Sequence, residues 1–328
     1  MPPRHALIRE IKPLLPTEAL RAFEGLSDIA FLDSGSMCSD LARWSIVAAD
    51  PFARFDIKDG IAFWQGQKIE GDPLEIMREK FSIFSLTRGE ERPPLLSGAI
   101  GFIAYEMGKN FETIPSMPSS KPGELELSFG FYDVVYAYDL TTDKAYLIST
   151  GFPELNEKHR LARAETRLSF FQERLTRAPR ALKHNAAIKT WKSNFSKESY
   201  EQAVRDVIEA ILRGDIFQAN LSQCFKAKRP HDFDPLAFYL HLRETSPAPF
   251  GAFLECGDHI YASNSPERFL KLDDQGLIEA RPIKGTAPRS KNDAEDRAYA
   301  HALLRSEKDR AENTMIVDLL RNDLSRIA

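Results

Sequence analysis

The stretch Phe55-Asp56-Ile57-Lys58-Asp59-Gly60-Ile61-Ala62-Phe63-Trp64 decides the fold class: two runs rich in β-branched and aromatic residues flank Asp59-Gly60. An Asp-Gly pair readily takes the positive φ angles of a type I′ turn, whose twist matches that of paired strands, so the stretch predicts a tight antiparallel hairpin. Further along, Val134-Val135-Tyr136-Ala137-Tyr138 and Ala145-Tyr146-Leu147-Ile148 flank the polar stretch from Asp139 to Lys144 and predict a second hairpin with a longer loop. Short strand-like runs such as Trp44-Ser45-Ile46-Val47 fill the interval from about Ile29 to Thr150. An antiparallel sheet follows.

Outward from this region the period changes. Leu161, Ala164, Leu168, Phe171 and Leu175 recur at steps of three and four, which predicts an amphipathic helix over about Glu154 to Leu175. Residues 176–194 are basic and aperiodic and read as a linker, dividing the chain into 1–175, 176–194 and 195–328. Ser199-Tyr200-Glu201-Gln202 fits a capping box, and the apolar stripe Tyr200, Val204, Val207, Ile208, Ile211 and Leu212 runs to Gly214, a glycine suited to end a helix. Strand-like runs at Ala219 to Ala227, Phe250 to Glu255 and His259 to Ser263 precede helical patterns at Asp293 to Leu304 and Asp309 to Arg326. The predicted class is α+β, built from antiparallel hairpins rather than repeated βαβ units.

Composition bounds the function. The chain has 328 residues, 43% hydrophobic and 28% charged, with Lys+Arg 44 against Asp+Glu 48 and a net charge of −4. Its basic residues are scattered, so no nucleic-acid footprint is visible and a small-molecule partner is expected. Cys38, Cys224 and Cys256 lie far apart without a C-x-x-C pair, which predicts a reducing compartment, with neither disulfides nor zinc. The early prolines exclude a secretory signal and no apolar run reaches the ~18 residues of a membrane span, so a cytoplasmic location is expected. Nucleotide-binding glycine loops, H-E-x-x-H and nucleophile elbows are missing from the sequence.

A set of polar segments remains. Lys284 lies in Pro282-Ile283-Lys284-Gly285, where it is either a solvated loop lysine or, if the turn desolvates it, a nucleophilic amine. Gly285-Thr286 is either a tight turn or a nest of N–H groups for a carboxylate. Glu267, after Pro266, is either a general acid or the partner of Arg268 or another neighbour. Glu312 precedes Met315-Ile316-Val317 in a helical pattern and is either a solvated face residue or a single carboxylate for Mg²⁺.

In this order the segments GDIFQANLSQC (214–224), SPERF (265–269), RPIKGTAPR (281–289) and DRAENTMIVDLLRNDLSR (309–326) resemble the chorismate-utilising enzymes. That family includes the first components of anthranilate and aminodeoxychorismate synthases and the isochorismate and salicylate synthases. Residues 32–51, GAIGFIAYE (98–106) and FYDVVYAYD (131–139) resemble its N-terminal region. The resemblance implies two large antiparallel sheets packed face to face with helices outside. It also implies chorismate as substrate and an aminated product. Gln218 stands where water-adding members carry a lysine, and Lys284 stands where anthranilate synthases typically carry alanine; by this resemblance the chain is of the aminodeoxychorismate synthase type, serving para-aminobenzoate and folate biosynthesis. An anthranilate synthase component I is the alternative within the same chemistry, and a non-catalytic tryptophan- or partner-binding fragment is the alternative outside it.

The resemblance further implies that Lys284 attacks C2 of chorismate while Glu267 helps the C4 hydroxyl leave, and that ammonia from a separate glutamine amidotransferase then displaces the lysine. Gly285 and Thr286 would contact chorismate, with Gln218 nearby, and Mg²⁺ would be held through Glu312. A tryptophan pocket is implied at Ser34, Leu41, Ala42, Arg43, Trp44, Pro249, Phe250 and Gly251. Family members continue beyond the R-N-D helix with further substrate and metal ligands, so a truncated chain of weak or absent turnover is expected, with apolar edges exposed.

Overall fold

The computed structural model describes residues 4–35, 41–87, 93–112, 123–183, 188 and 190–327. Its first elements are β1 (Leu7–Ile11), α1 (Pro16–Ala22), β2 (Ala30–Asp33), β3 (Trp44–Ala48), β4 (Ala53–Lys58), β5 (Ile61–Trp64) and β6 (Gln67–Ile69). There follow α2 (Pro73–Ile83), β7 (Gly98–Ile103), a 3₁₀ segment (Tyr105–Asn110), β8 (Leu125–Tyr132), β9 (Val134–Asp139), β10 (Lys144–Ser149) and α3 (Glu157–Arg174). The rest comprises β11 (Lys192–Ser193), α4 (Lys197–Arg213), β12 (Phe225–Lys226), α5 (Pro235–Thr245), β13 (Phe250–Cys256) and β14 (His259–Ser265). The chain then forms β15 (Lys271–Leu272), β16 (Ile278–Glu279), α6 (Asp293–Arg305) and α7 (Glu307–Leu324).

Both predicted hairpins form. Asp59 and Gly60 take φ of 49° and 70°, both left-handed, and pair Lys58 with Ile61. The β9–β10 loop closes on Asp139 and Lys144. The strands assemble into a seven-stranded antiparallel sheet, in the order β1-β10-β9-β3-β2-β13-β14, and a five-stranded one, β6-β5-β4-β8-β7. The α+β class and the large antiparallel sheets thus agree with the sequence. The join between β2 and β13, with Gly251 opposite Asp33, brings the late strands into the early sheet.

The two sheets meet over a core of Ile46, Val135, Ala137, Ile148 and Leu254 from the larger and Ile100 and Tyr132 from the smaller. Phe55, Ile57, Leu127 and Phe131 on the other face of the smaller sheet pack with Ile76 of α2 and Met107. Across the larger sheet lie α1 and α3, where Phe23 meets Phe171 edge to face at 4.9 Å. Burying aromatic side chains of this size contributes about 1.5–3 kcal/mol each.

In α3, Asn156 caps by accepting the His159 N–H, and Ala164, Leu168 and Phe171 face inward as their spacing predicts. The fourth inward position is Arg160, whereas Leu161 is exposed. Arg160 is tolerated there because its guanidinium donates to the Thr150 carbonyl at 2.7 Å and the His5 carbonyl at 2.9 Å. Helix α4 starts earlier than predicted: Ser196 is the N-cap and Ser199 the reciprocating N3 residue. Gly214 ends it at φ 82°. Of the strand expected over 219–227, only Phe225–Lys226 forms.

The compact units divide differently from the sequence-based boundaries. One contains Met1–Arg180 and Tyr239–Ala328, the other Ala181–Phe238. Within the smaller unit β11 pairs with β12, and Asn194 Oδ1 accepts the Cys224 N–H at 2.7 Å. Cys224 is exposed and Cys256 buried, both as free thiols, and Cys38 lies outside the described residues. Among the described residues no helix is long and apolar enough to cross a membrane.

Candidate functional site

Strand β14 ends at Ser265, whose hydroxyl donates to the Glu267 carbonyl at 2.8 Å and turns the chain at Pro266. A short hairpin follows. Lys271 and Leu272 pair with Glu279 and Ile278, and the turn between them is held by Asp273 Oδ1, which accepts the N–H groups of Gln275 and Leu277. This hairpin returns the chain to where it began, and Glu267 Oε1 accepts the Ile283 N–H at 3.2 Å. Glu267 is therefore hydrogen-bonded to the residue preceding Lys284. Arg268 pairs with Glu279.

Lys284 is half-buried and Thr286 exposed. Between them Gly285 takes φ +73° and passes so close to α7 that a Cβ there would lie 2.8 Å from the Asp309 carboxylate. Asp309 stands in the first turn of α7, where its N–H is capped by Ser306 Oγ at 3.3 Å. Glu312, one turn on and half-buried, shares that helix surface, since residues three apart are neighbours on a helix. The structure thus draws Glu267, Lys284, Gly285 and the α7 face carrying Glu312 into one neighbourhood. Gln218 belongs to the smaller unit, where its Oε1 is buried without a hydrogen-bond partner.

Among the described residues, no three His, Cys, Asp or Glu side chains are grouped to hold a metal. Glu312 supplies one carboxylate. That fits Mg²⁺ only as a partial site, since Mg²⁺ takes one or two carboxylates and completes its shell with water and substrate oxygens.

The residues of the implied tryptophan pocket also converge. Ser34 follows β2, Trp44 opens β3 and Phe250 and Gly251 open β13, on three neighbouring strands. Leu41, Ala42 and Arg43 lead into β3, and Pro249 into β13. Ser34 Oγ donates to the Trp44 carbonyl at 2.7 Å and its N–H to Ser45 Oγ at 3.1 Å. Arg43 is turned onto Asp139 at 2.8 Å; burial works against the Asp139 charge, but Arg43 and the Thr141 N–H hold it below the ordinary carboxylate range. Beneath lies a residue the sequence reading passed over, Asp33, which is buried and accepts from Arg243 at 2.5 Å and Tyr239 at 3.2 Å. Burial and the Asp33 charge raise the Tyr239 phenol far above its usual value. An acid next to a β-branched or apolar run gives no local signal of such burial. Its partners arrive only with α5.

Residues 30–328 match the family model for chorismate binding enzymes. The chain is 34% identical over 288 residues to anthranilate synthase component 1 of Thermus thermophilus, covering 88% of this chain and 60% of that one. It is 33% identical over 307 residues to aminodeoxychorismate synthase component 1 of Escherichia coli, covering 90% and 63%. The crystal structure of anthranilate synthase component I from Streptococcus pneumoniae superposes with a TM-score of 0.71 at 28% identity, over 89% of this chain and 64% of that one. The chain therefore spans about 60% of the length of the relatives it matches.

Proposed function

The chain belongs to the chorismate binding enzyme family, and on that premise we propose that it acts as an aminodeoxychorismate synthase component I, aminating chorismate with ammonia from a glutamine amidotransferase. The observation that carries the reading is the hydrogen bond from the Ile283 N–H to Glu267, which sets a carboxyl beside the Lys284 turn. Two groups so placed suit a substitution split into two steps, because a covalent intermediate replaces one difficult displacement with two easier ones.

In this mechanism the Lys284 amine forms a bond to C2 of the ring while the C4 hydroxyl departs, taking a proton from Glu267. Ammonia then bonds to C4 and the lysine is expelled. Gly285 and Thr286 would contact chorismate in the turn that carries Lys284, and in sequence Gln218 matches the place where water-adding members carry a lysine. Glu312 would hold Mg²⁺, which when bound neutralises the ring carboxylate. Tryptophan would sit on Ser34, Trp44 and the β13 entry.

The test is turnover of chorismate by the 328-residue chain with Mg²⁺ and excess ammonium, with product identified by chromatography and Lys284→Ala as the comparison. Aminodeoxychorismate that disappears in the variant is expected. Anthranilate as product, the activity named for the Thermus thermophilus relative, would overturn the assignment, as would an unaffected variant. No product from either protein, together with tryptophan binding by calorimetry, would favour a non-catalytic binding module.

A further inference from the structure

Three charged groups surround the short β15–β16 hairpin. Arg268, adjacent in sequence to Glu267, reaches Glu279 with its guanidinium. Arg281, three residues before Lys284, reaches the other oxygen of the same carboxylate at 2.7 Å. Arg268 also lies over the Phe250 ring at 5.5 Å, which ties it to the first residue of β13. Burial, and to a lesser degree the Arg281 charge, pull Arg268 below the usual guanidinium range. Glu279, the last residue of β16, places a carboxylate against both arginines.

We infer that Glu279 is a positioning residue that holds Glu267 against the Lys284 segment by pairing with Arg268 across the hairpin, with its carboxylate fixed by Arg281 on its own segment. The inference rests on the reading of Glu267 and Lys284 as the reacting groups, but the geometry behind it does not. Besides the β15–β16 pairing, the direct hydrogen bond among the described residues of 265–269 and 281–286 is Ile283 N–H to Glu267 Oε1, and a solvent-accessible bond contributes little rigidity because water competes for both partners. Glu279 adds an ion pair with Arg268 across the same junction, and the charge-assisted hydrogen bond from Arg281, two residues on, fixes the Glu279 carboxylate that makes it. Its side chain meets Arg268 and Arg281, and it acts through Glu267.

Amide hydrogen exchange on the full chain tests this without any ligand. Glu279→Gln keeps the shape and removes the charge, Glu279→Asp keeps the charge, and Glu267→Ala sets the rate of an Ile283 amide with no acceptor. The Ile283 amide is expected to exchange about tenfold faster in Glu279→Gln, approaching the Glu267→Ala rate, and within about threefold of wild type in Glu279→Asp, with β13 and β14 amides unchanged. An unchanged Ile283 amide in Glu279→Gln would overturn the inference. So would faster exchange spreading through β13 and β14, or equal effects of the Gln and Asp variants. Because exchange needs no chorismate, failure of the amination reading and failure of this brace are separately visible.

Discussion

Arg167 and Arg281 each bind a carboxylate, and the two settings differ in water. Arg167, 14% exposed, bridges from α3 to Asp133, which is fully buried, and to Asp50. Arg281, 54% exposed, holds Glu279 at the edge of the Lys284 segment, and Arg321 with Asp318 in α7 is more open still. In the sheet sandwich desolvation makes the Arg167–Asp133 pair costly to break, since burial pushes Asp133 above its ordinary carboxylate range despite Arg167. Around Arg281, Arg289 and Arg321, each more than half exposed, water screens the pairs, so they contribute little to stability and mainly set geometry. The molecule therefore separates a stable platform from a chemically equipped, loosely supported segment.

The sharpest way to break this contrast is Arg167→Ala. It strands a buried carboxylate and is expected to destabilise the sandwich by about 3–5 kcal/mol, read from the urea midpoint. A loss below about 1 kcal/mol would mean that the pair is as solvated as those of α7. Gly285→Ala comes next. It forces a Cβ into the left-handed region and against Asp309, so a local cost of about 1–2 kcal/mol is expected, seen as faster exchange over 282–286 with the urea midpoint of the sandwich unmoved.

Acid sharpens the same comparison. Burial opposes the Glu126 charge, yet Lys109, at 2.5 Å, and the Gly60 N–H outweigh it and hold the carboxyl below its ordinary value of 4.5. A carboxylate lower in the folded than in the unfolded chain contributes stability that is present above the unfolded value and lost as pH falls through the folded one. Stability is thus expected to decline below about pH 4.5, and Glu126→Gln to flatten that decline in a pH series of denaturant titrations. The smallest effect is reserved for Leu319→Ala in α7, where the side chain is 43% exposed and a change within about 0.5 kcal/mol is expected.

What was legible follows from how far each signal reaches. The Asp59-Gly60 turn, the Gly214 cap and the inward positions Ala164, Leu168 and Phe171 of α3 are consequences of residues a few positions apart, and each formed where its spacing indicated. Motif order likewise marked Glu267, Lys284 and Glu312 as a set. Arg160 was missed because an arginine between apolar positions reads as surface until the Thr150 and His5 carbonyls are brought to it. Glu279 was missed because its partners flank it only after the hairpin closes.

By itself, then, the sequence determined the antiparallel hairpins, the helix periods and the family of chemistry, because φ preferences, amphipathic spacing and motif order are carried by near neighbours. Tertiary structure alone decided that β13 joins β2, that Asp33 and Asp133 are buried with arginine partners, and that Glu267 meets the Lys284 segment. These depend on which distant groups exclude water from a charge or complete a backbone ladder, and desolvation is a property of the assembled environment rather than of any local run of residues.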